Sequence, residues 1–272
     1  MTQILTDLSR PALVRAIQQN LYDVGWELRR GWKQAVFYEN QKIRRWWSPI
    51  PIAFIFNAAF SLQPPDGDET ELIHDTIAFF QSRARDGFDW WLFPGLETSD
   101  WGRQLEAHGL TLDTDPPGMA LDLSALPQAI PLPAGVEIKI VNDAEMMKTW
   151  NATFVQGYGL PPDWESVCLD MMLASFVPTM TSYLAFVEDQ PVAASTLFLD
   201  AGVAGIYNVA TLPAWRGKGI GGAMSLYPLL DARKKGFRAA ILQSSEMGYQ
   251  VYQRMGFKEL CRLDHYHWQA KA

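Results

Sequence analysis

The chain has 272 residues, 48% of them apolar, and a formal net charge of −7. That length predicts two structural units rather than one, and the acidic balance argues against nucleic-acid binding. No apolar run reaches the ~18 residues of a membrane span, the N-terminus lacks a charged-then-apolar leader pattern, and Cys168 and Cys261 are too few for a disulfide framework or a zinc site, so a cytoplasmic protein with no metal and no membrane partner is expected.

Near the N-terminus, Leu13, Ile17, Leu21 and Val24 line one face of a helix that Ser9 can cap. The Arg29-Arg30 and Arg44-Arg45 pairs read as solvated faces, the second running into Trp46-Trp47. A strand is expected over 52–62. A helix over 69–85 places Leu72, Ile73, Thr76, Ile77 and Phe80 on one side and stops at Gly87-Phe88. Residues 90–93 are a buried strand, 101–108 a helix ended by Gly109-Leu110, and 119–123 a strand. Pro127, Pro131 and Pro133 mark 127–134 as a linker.

The second half opens with a strand at 137–141. Asp143 is placed to cap a helix carrying Met146, Met147, Trp150 and Phe154 on one stripe, and Pro162 opens a further helix to about 175. Strands at 182–188 and 192–199 form a hairpin across Asp189-Gln190-Pro191, and 204–210 is the next strand. A helix with Met224, Leu226, Leu229 and Leu230 stops at Gly236; then come a short buried strand at 239–242, a helix at 247–255 ended by Gly256-Phe257, and a last strand at 258–268.

The most informative stretch is 211–222, Thr-Leu-Pro-Ala-Trp-Arg-Gly-Lys-Gly-Ile-Gly-Gly. Arg216, Gly219 and Gly221 form Arg-x-x-Gly-x-Gly between a strand and a helix. Such a turn presents backbone N–H groups at a helix N-terminus, where the dipole adds positive potential, and suits a pyrophosphate. It is not a P-loop, because no Gly-Lys-Ser/Thr follows. Gly217, Gly219 and Gly222 fit Gly-x-Gly-x-x-Gly, but no acid ends a second strand about 20 residues on, as a dinucleotide site requires.

Downstream, Ser245-x-x-Gly248-x-x-x-Tyr252-x-x-x-Gly256-Phe257 follows at a fixed interval. Together the two motifs resemble the GCN5-related N-acetyltransferase (GNAT) superfamily, whose second block is Asn-x-x-Ala-x-x-x-Tyr-x-x-x-Gly-Phe. Here Ser245 stands for Asn and Gly248 for Ala, and Thr211 stands where the family usually has Val. The resemblance is strong over about 135–270.

The first half repeats the order of elements, with nearly the same spacing from Gly87 to Gly109 as from Gly236 to Gly256. The expected fold class is therefore α/β (α+β), with two GNAT-like domains. Each has a mixed, mostly antiparallel central sheet flanked by helices and splayed central strands. The boundaries are 1–126 for a degenerate first domain with an extra N-terminal helix, 127–134 for the linker, and 135–272 for the catalytic domain. The first copy has Pro64-Pro65-Asp66-Gly67-Asp68-Glu69 in place of the Arg/Gly turn and Leu105 at the spacing of Tyr252. Its carboxylates repel a pyrophosphate and its prolines lack N–H donors.

The resemblance implies acetyl-CoA as acyl donor and an amine of a small molecule or peptide as acceptor, joined by direct attack on the thioester in a monomer or homodimer. It places the donor along Val209, Ala210 and Thr211 and near Ser245, with the pyrophosphate on Arg216, Gly217, Lys218, Gly219, Ile220, Gly221 and Gly222. A backbone N–H near Val209 or Ala210 would stabilise the developing oxyanion. Tyr252 would be the general acid for the leaving thiolate. Glu246, Glu188, Asp163 and Glu165 are candidate bases. His265 and His267 read as strand packing or as a border of the acceptor site. Trp46, Trp47 and Trp164 are candidate acceptor-pocket walls, and Trp215 a cover for the donor. The alternative is a non-catalytic acyl-CoA-binding or regulatory protein on the same scaffold.

Overall fold

The computed structural model describes residues 3–50, 56–63, 66–83, 87–93, 100–174 and 177–269. The early part of the strand expected at 52–62, Pro64 and Pro65, and the ends of the helices expected at 69–85 and near 175 lie outside these residues. In chain order the elements begin with helix α1 (Arg10–Arg30) and strands β1 (Val36–Glu39), β2 (Ile43–Trp47) and β3 (Ala58–Ser61). Helix α2 (Thr70–Gln81), β4 (Phe88–Leu92), α3 (Trp101–Ala107), β5 (Thr111–Thr114) and β6 (Pro117–Asp122) follow. Then come β7 (Val136–Ile140), α4 (Ala144–Tyr158), α5 (Glu165–Ala174), β8 (Met180–Val187), β9 (Gln190–Asp200) and β10 (Val203–Thr211). The chain closes through α6 (Ile220–Lys234), β11 (Ala239–Gln243), α7 (Glu246–Arg254), β12 (Lys258–Arg262) and β13 (Asp264–Trp268).

Two mixed sheets result, ordered β1-β2-β3-β4-β13-β5 and β12-β6-β11-β10-β9-β8-β7. Their members do not follow the chain's midpoint. One compact unit comprises residues 1–31 with 118–260, and the other 32–117 with 261–272. The strand expected to finish the first half, β6, pairs antiparallel with β11 from Ala239↔Asp122 to Gln243↔Gly118. The single strand expected over 258–268 is two. It breaks at Leu263, whose N–H donates to Pro116 O at 3.2 Å, and β13 runs between β4 and β5 in the first sheet. The proline-rich segment is packed rather than free: Leu126 and Ile130 belong to the second sheet's core, and Arg233 donates to the carbonyls of Leu126 and Pro127.

In the first sheet the parallel strands β3 and β4 pair over Ala58↔Asp89, Ala59↔Trp90 and Phe60↔Trp91, nearly their full length. The Trp90 indole N–H donates to Ser61 Oγ at 2.8 Å across the pair. The splay expected in both sheets is therefore missing here. The cause is the aromatic packing of Trp46 on Phe60 (4.9 Å) and Phe60 on Trp91 (6.0 Å), all buried. Asp89, 2% exposed, is bracketed on β13 by His265 Nε2 at 2.8 Å and His267 Nδ1 at 2.7 Å.

Two of the four arginines expected at solvated faces are buried. Arg45 reaches Asp75 (2.7 Å) and Thr76 (2.8 Å) on α2 and lies over the rings of Tyr38 and Phe79. Arg29 donates to Gly25 O within its own helix, and burial depresses its pKa to about 9. In both, the long aliphatic stem packs like a hydrophobe, and the head finds acceptors nearby.

The second sheet positions the site. Strands β7 to β10 are successively antiparallel. The β8–β9 turn uses Glu188 and Asp189, both at positive φ, so Gln190 and Pro191 already belong to β9. Asp143 accepts from Met146 N–H to cap α4, as its position before the apolar stripe required. Ile206, Leu242, Ile220 and Met224 join one core, with Tyr252 of α7 and Met255 just after it packed against it. The other face of this sheet receives α1 and α4: Asn20 reaches Asp200 O, and Trp150 donates to Ser195 O.

Candidate active site

Strands β10 and β11 run parallel but pair only at Ala204↔Ala240 and Gly205↔Ile241. Beyond that point β10 continues to Thr211 and β11 to Gln243 without each other, so the sheet forks. On its other edge β10 stays on β9 but bulges. Tyr207 faces Thr196 and Ala210 faces Ala194, leaving Asn208 and Val209 opposite a single residue. Asn208 takes φ +54° to make the bulge, which turns this stretch of backbone away from regular pairing.

The Arg/Gly turn closes over the end of β10. Gly217 (φ 73°) and Gly219 (φ 78°) both occupy left-handed backbone, and open space lies where a Gly217 side chain would project. Helix α6 then starts at Ile220 with no side-chain cap. The N–H groups of Ile220, Gly221 and Gly222 have no partner within a helix, and they add to the positive end of the dipole. Arg216 braces the turn: Nε donates to Thr211 O at 3.1 Å and an Nη to Gly157 O at 2.8 Å, tying the turn to the last residues of α4. The ammonium of Lys218 lies 4.3 Å over the Trp215 ring. These residues fit a pyrophosphate, since the turn supplies uncapped donors, a cation and a backbone with no side chain in the way.

Tyr252 stands on α7, half-buried, beside Ser225 of α6. Burial raises the Tyr252 pKa, which the Ser225 contact partly offsets. The phenol therefore keeps its proton at neutral pH, as an acid must. Ser245 is the N-cap of α7, accepting from Gly248 N–H at 3.3 Å. Phe257 packs edge-on to Tyr252 at 5.7 Å.

Val209, Ala210, Thr211, the turn 216–222, Ser245 and Tyr252 thus all lie within the second sheet's unit. The other candidates disperse. Glu246, Glu188, Asp163 and Glu165 are exposed, on a helix start, a hairpin turn and the lead-in to α5. His265 and His267 belong to the other unit, where they hold Asp89, and Trp46 and Trp47 sit there on β2. Sequence reasoning missed Tyr207, Gln243 and Asn20. Tyr207 donates to Asn20 Oδ1 at 2.7 Å on the α1 side of the fork. Asn20 lay between Ile17 and Leu21 on an apolar stripe, and a polar residue there was the available signal.

A mixed sheet forked between two parallel strands, with a glycine turn and an uncapped helix over the fork, is the arrangement that the sequence's resemblance to the GNAT superfamily implies. Residues 178–259 match the family model for the acetyltransferase (GNAT) domain. The fold as a whole is similar to a GCN5-related N-acetyltransferase from Kribbella flavida, at 20% identity and TM-score 0.67 over 98% of each chain. One from Sphaerobacter thermophilus matches at 18% identity and TM-score 0.64, over 98% of this chain and 95% of that one. A tandem GNAT protein from the clavulanic acid biosynthesis pathway matches at 13% identity and TM-score 0.56, over 88% and 85%. No curated protein matches the chain. Among the described residues no helix is long and apolar enough to cross a membrane.

Proposed function

We propose that this protein is an acetyl-CoA-dependent N-acetyltransferase acting on the amine of a small molecule or peptide, with its active site in the unit built on the second sheet. The observation that carries this reading is the fork between β10 and β11 lying at the foot of an uncapped, glycine-fronted α6. In it, the N–H groups of 220–222 hold the pyrophosphate and the free edge of β10 pairs with the pantetheine arm as an added strand. The acyl donor supplies an activated thioester carbonyl. The chain's own residues orient it, and Tyr252 delivers a proton to the departing sulfur while the amine gives one up.

Calorimetric titration with acetyl-CoA, with Gly219→Glu in parallel, tests the site. One donor per chain, lost in the variant, is expected. Binding that survives in Gly219→Glu overturns the placement. The exposure of all four candidate bases favours a second reading, a donor-binding protein without turnover. Thiol release on an amine panel separates the two, since only an enzyme couples release to an amine.

A further inference from the structure

Gln243, the last residue of β11, carries a buried side-chain nitrogen, Nε2, that makes no hydrogen bond of good geometry with the protein. A buried donor left unmade costs about 1–3 kcal/mol and calls for an explanation. Its position supplies one. The last pair of the parallel ladder is Gly205↔Ile241, so Tyr207 and Gln243 each stand two residues beyond it, on opposite arms of the fork. Ile206 and Leu242, between them and the apex, face the α6 core. Alternation along a strand turns Tyr207 and Gln243 to the other face, toward α1.

The polarity of this cluster is fixed by its far end. The Asp200 carbonyl can only accept, so Asn20 Nδ2 faces it at 2.8 Å. Asn20 Oδ1 must then face Tyr207, whose hydroxyl donates to it at 2.7 Å. Burial, the leading cause, drives the Tyr207 pKa far above the ordinary phenol range, so that proton stays in place. With its proton committed, the hydroxyl oxygen can only accept, and the Gln243 amide beside it must present its NH₂ side. One N–H is then turned to the phenol, and the second is left without a protein acceptor. Gly205 keeps the arrangement open, because a Cβ there would fall on Asn20 Oδ1 and on the Tyr207 ring.

We propose that Gln243 Nε2 is a side-chain donor to the acyl carbonyl oxygen of the thioester, with Tyr207 and Asn20 as positioning residues that hold its amide. In the reaction the amine nitrogen bonds to the acyl carbon, and charge gathers on that oxygen, where the Gln243 N–H meets it. The carbon–sulfur bond then breaks, the electron pair leaves with sulfur, which takes a proton, and the nitrogen loses one. A donor pre-aimed at developing charge stabilises it without reorganisation. Helix α1, outside the 178–259 domain match, thereby contributes to the site through Asn20.

This inference rests on the proposed acyl-donor site, and the test separates the two. Calorimetry measures the dissociation constants of acetyl-CoA and of free CoA for the wild type, Gln243→Leu and Tyr207→Phe. Gln243→Leu is expected to weaken acetyl-CoA about fivefold relative to CoA, the worth of one neutral hydrogen bond, with CoA affinity unchanged. Tyr207→Phe is expected to shift the same ratio by less. The carbonyl stretching band of bound, carbonyl-labelled acetyl-CoA should move to higher frequency in both variants, which a merely structural role would not produce. An unchanged acetyl-CoA/CoA ratio and band in Gln243→Leu overturn the inference while leaving the donor site intact. A wild type that binds neither ligand overturns the donor site, and the inference with it. Thermal unfolding checks that each variant is folded, and Gln243→Met serves if Gln243→Leu is not.

Discussion

The crossovers β3–α2–β4 and β10–α6–β11 are built from the same parts, and they differ at two points. At the start of α2 the N-cap Glu69 makes no side-chain cap bond either, but the chain sets its own carboxylates there. Asp68 accepts from Thr70 N–H at 2.9 Å, Glu69 accepts from Asp66 N–H at 3.2 Å, and Lys42 neutralises Asp66 and Glu69 at 2.7 and 2.8 Å. At the start of α6 no side chain caps the helix. Between β3 and β4 the ladder runs on through Phe60↔Trp91, whereas between β10 and β11 it stops at Gly205↔Ile241. The two crossovers thus differ in what they leave open: a helix start with no carboxylate and a free strand edge in one, a carboxylate-lined start and a continued ladder in the other.

The largest expected effect breaks the open helix start. Gly219→Glu should cost at least about a hundredfold in acetyl-CoA affinity by calorimetry, since a non-glycine residue in left-handed backbone costs roughly 1–2 kcal/mol and the carboxylate meets a phosphate in addition. Next, Tyr252→Phe should lower kcat about a hundredfold with unchanged donor affinity; steady-state kinetics showing no fall would remove Tyr252 as the acid. Gly248→Ala is a finer probe of the same group. Its Cβ would stand 2.9 Å from Tyr252 Cε2, while alanine favours the helix by up to about 1 kcal/mol. A melting temperature that holds or rises while kcat falls about tenfold is the expected pair of results.

The closed sheet yields smaller effects. Ser61→Ala leaves the Trp90 indole N–H unpaired, which should destabilise by about 1 kcal/mol in denaturant unfolding and leave acetyl-CoA affinity untouched. A change in affinity would mean that the first sheet takes part in donor binding. Smallest is a pH effect at His267, whose pKa is raised chiefly by its hydrogen bond to Asp89. A raised histidine pKa stabilises the fold fully below its unfolded value near 6.5 and loses that contribution as pH rises through the folded value. His267→Gln should therefore flatten stability between pH 5.5 and 8.5 by roughly 0.5 kcal/mol, the side chain being partly exposed.

Local chemistry was legible in the residues. Asp143 caps the helix its position announces, whereas Ser9 stands at the N-cap of α1 without a side-chain cap bond, and the turn at 216–222 sits where a strand hands over to a helix. Pairing partners were not legible. Nothing in the composition of 264–268 tells that it joins β4 rather than continuing from β12, because both options bury the same alternating side chains. Arg45 and Arg29 were misread for a related reason: a basic pair looks solvated until a long-range partner such as Asp75 is known. The fork was legible only in outline. Its depth depends on where the ladder stops, and Gly205 becomes informative only once Asn20 is seen occupying its space.

The exchange of β6 and β13 between the sheets bears on how the chain is made. β13 must slot between β4 and β5, so a ribosome has to deliver the chain through residue 268 before the earlier sheet can close. Until then β4 and β5 wait with bare edges, the situation that invites pairing with a neighbouring nascent chain. A cut in the proline-rich segment would strand β6 with the wrong fragment and β13 with the other. Neither product would hold a complete sheet, and co-expression of the two pieces should recover soluble protein where either alone does not.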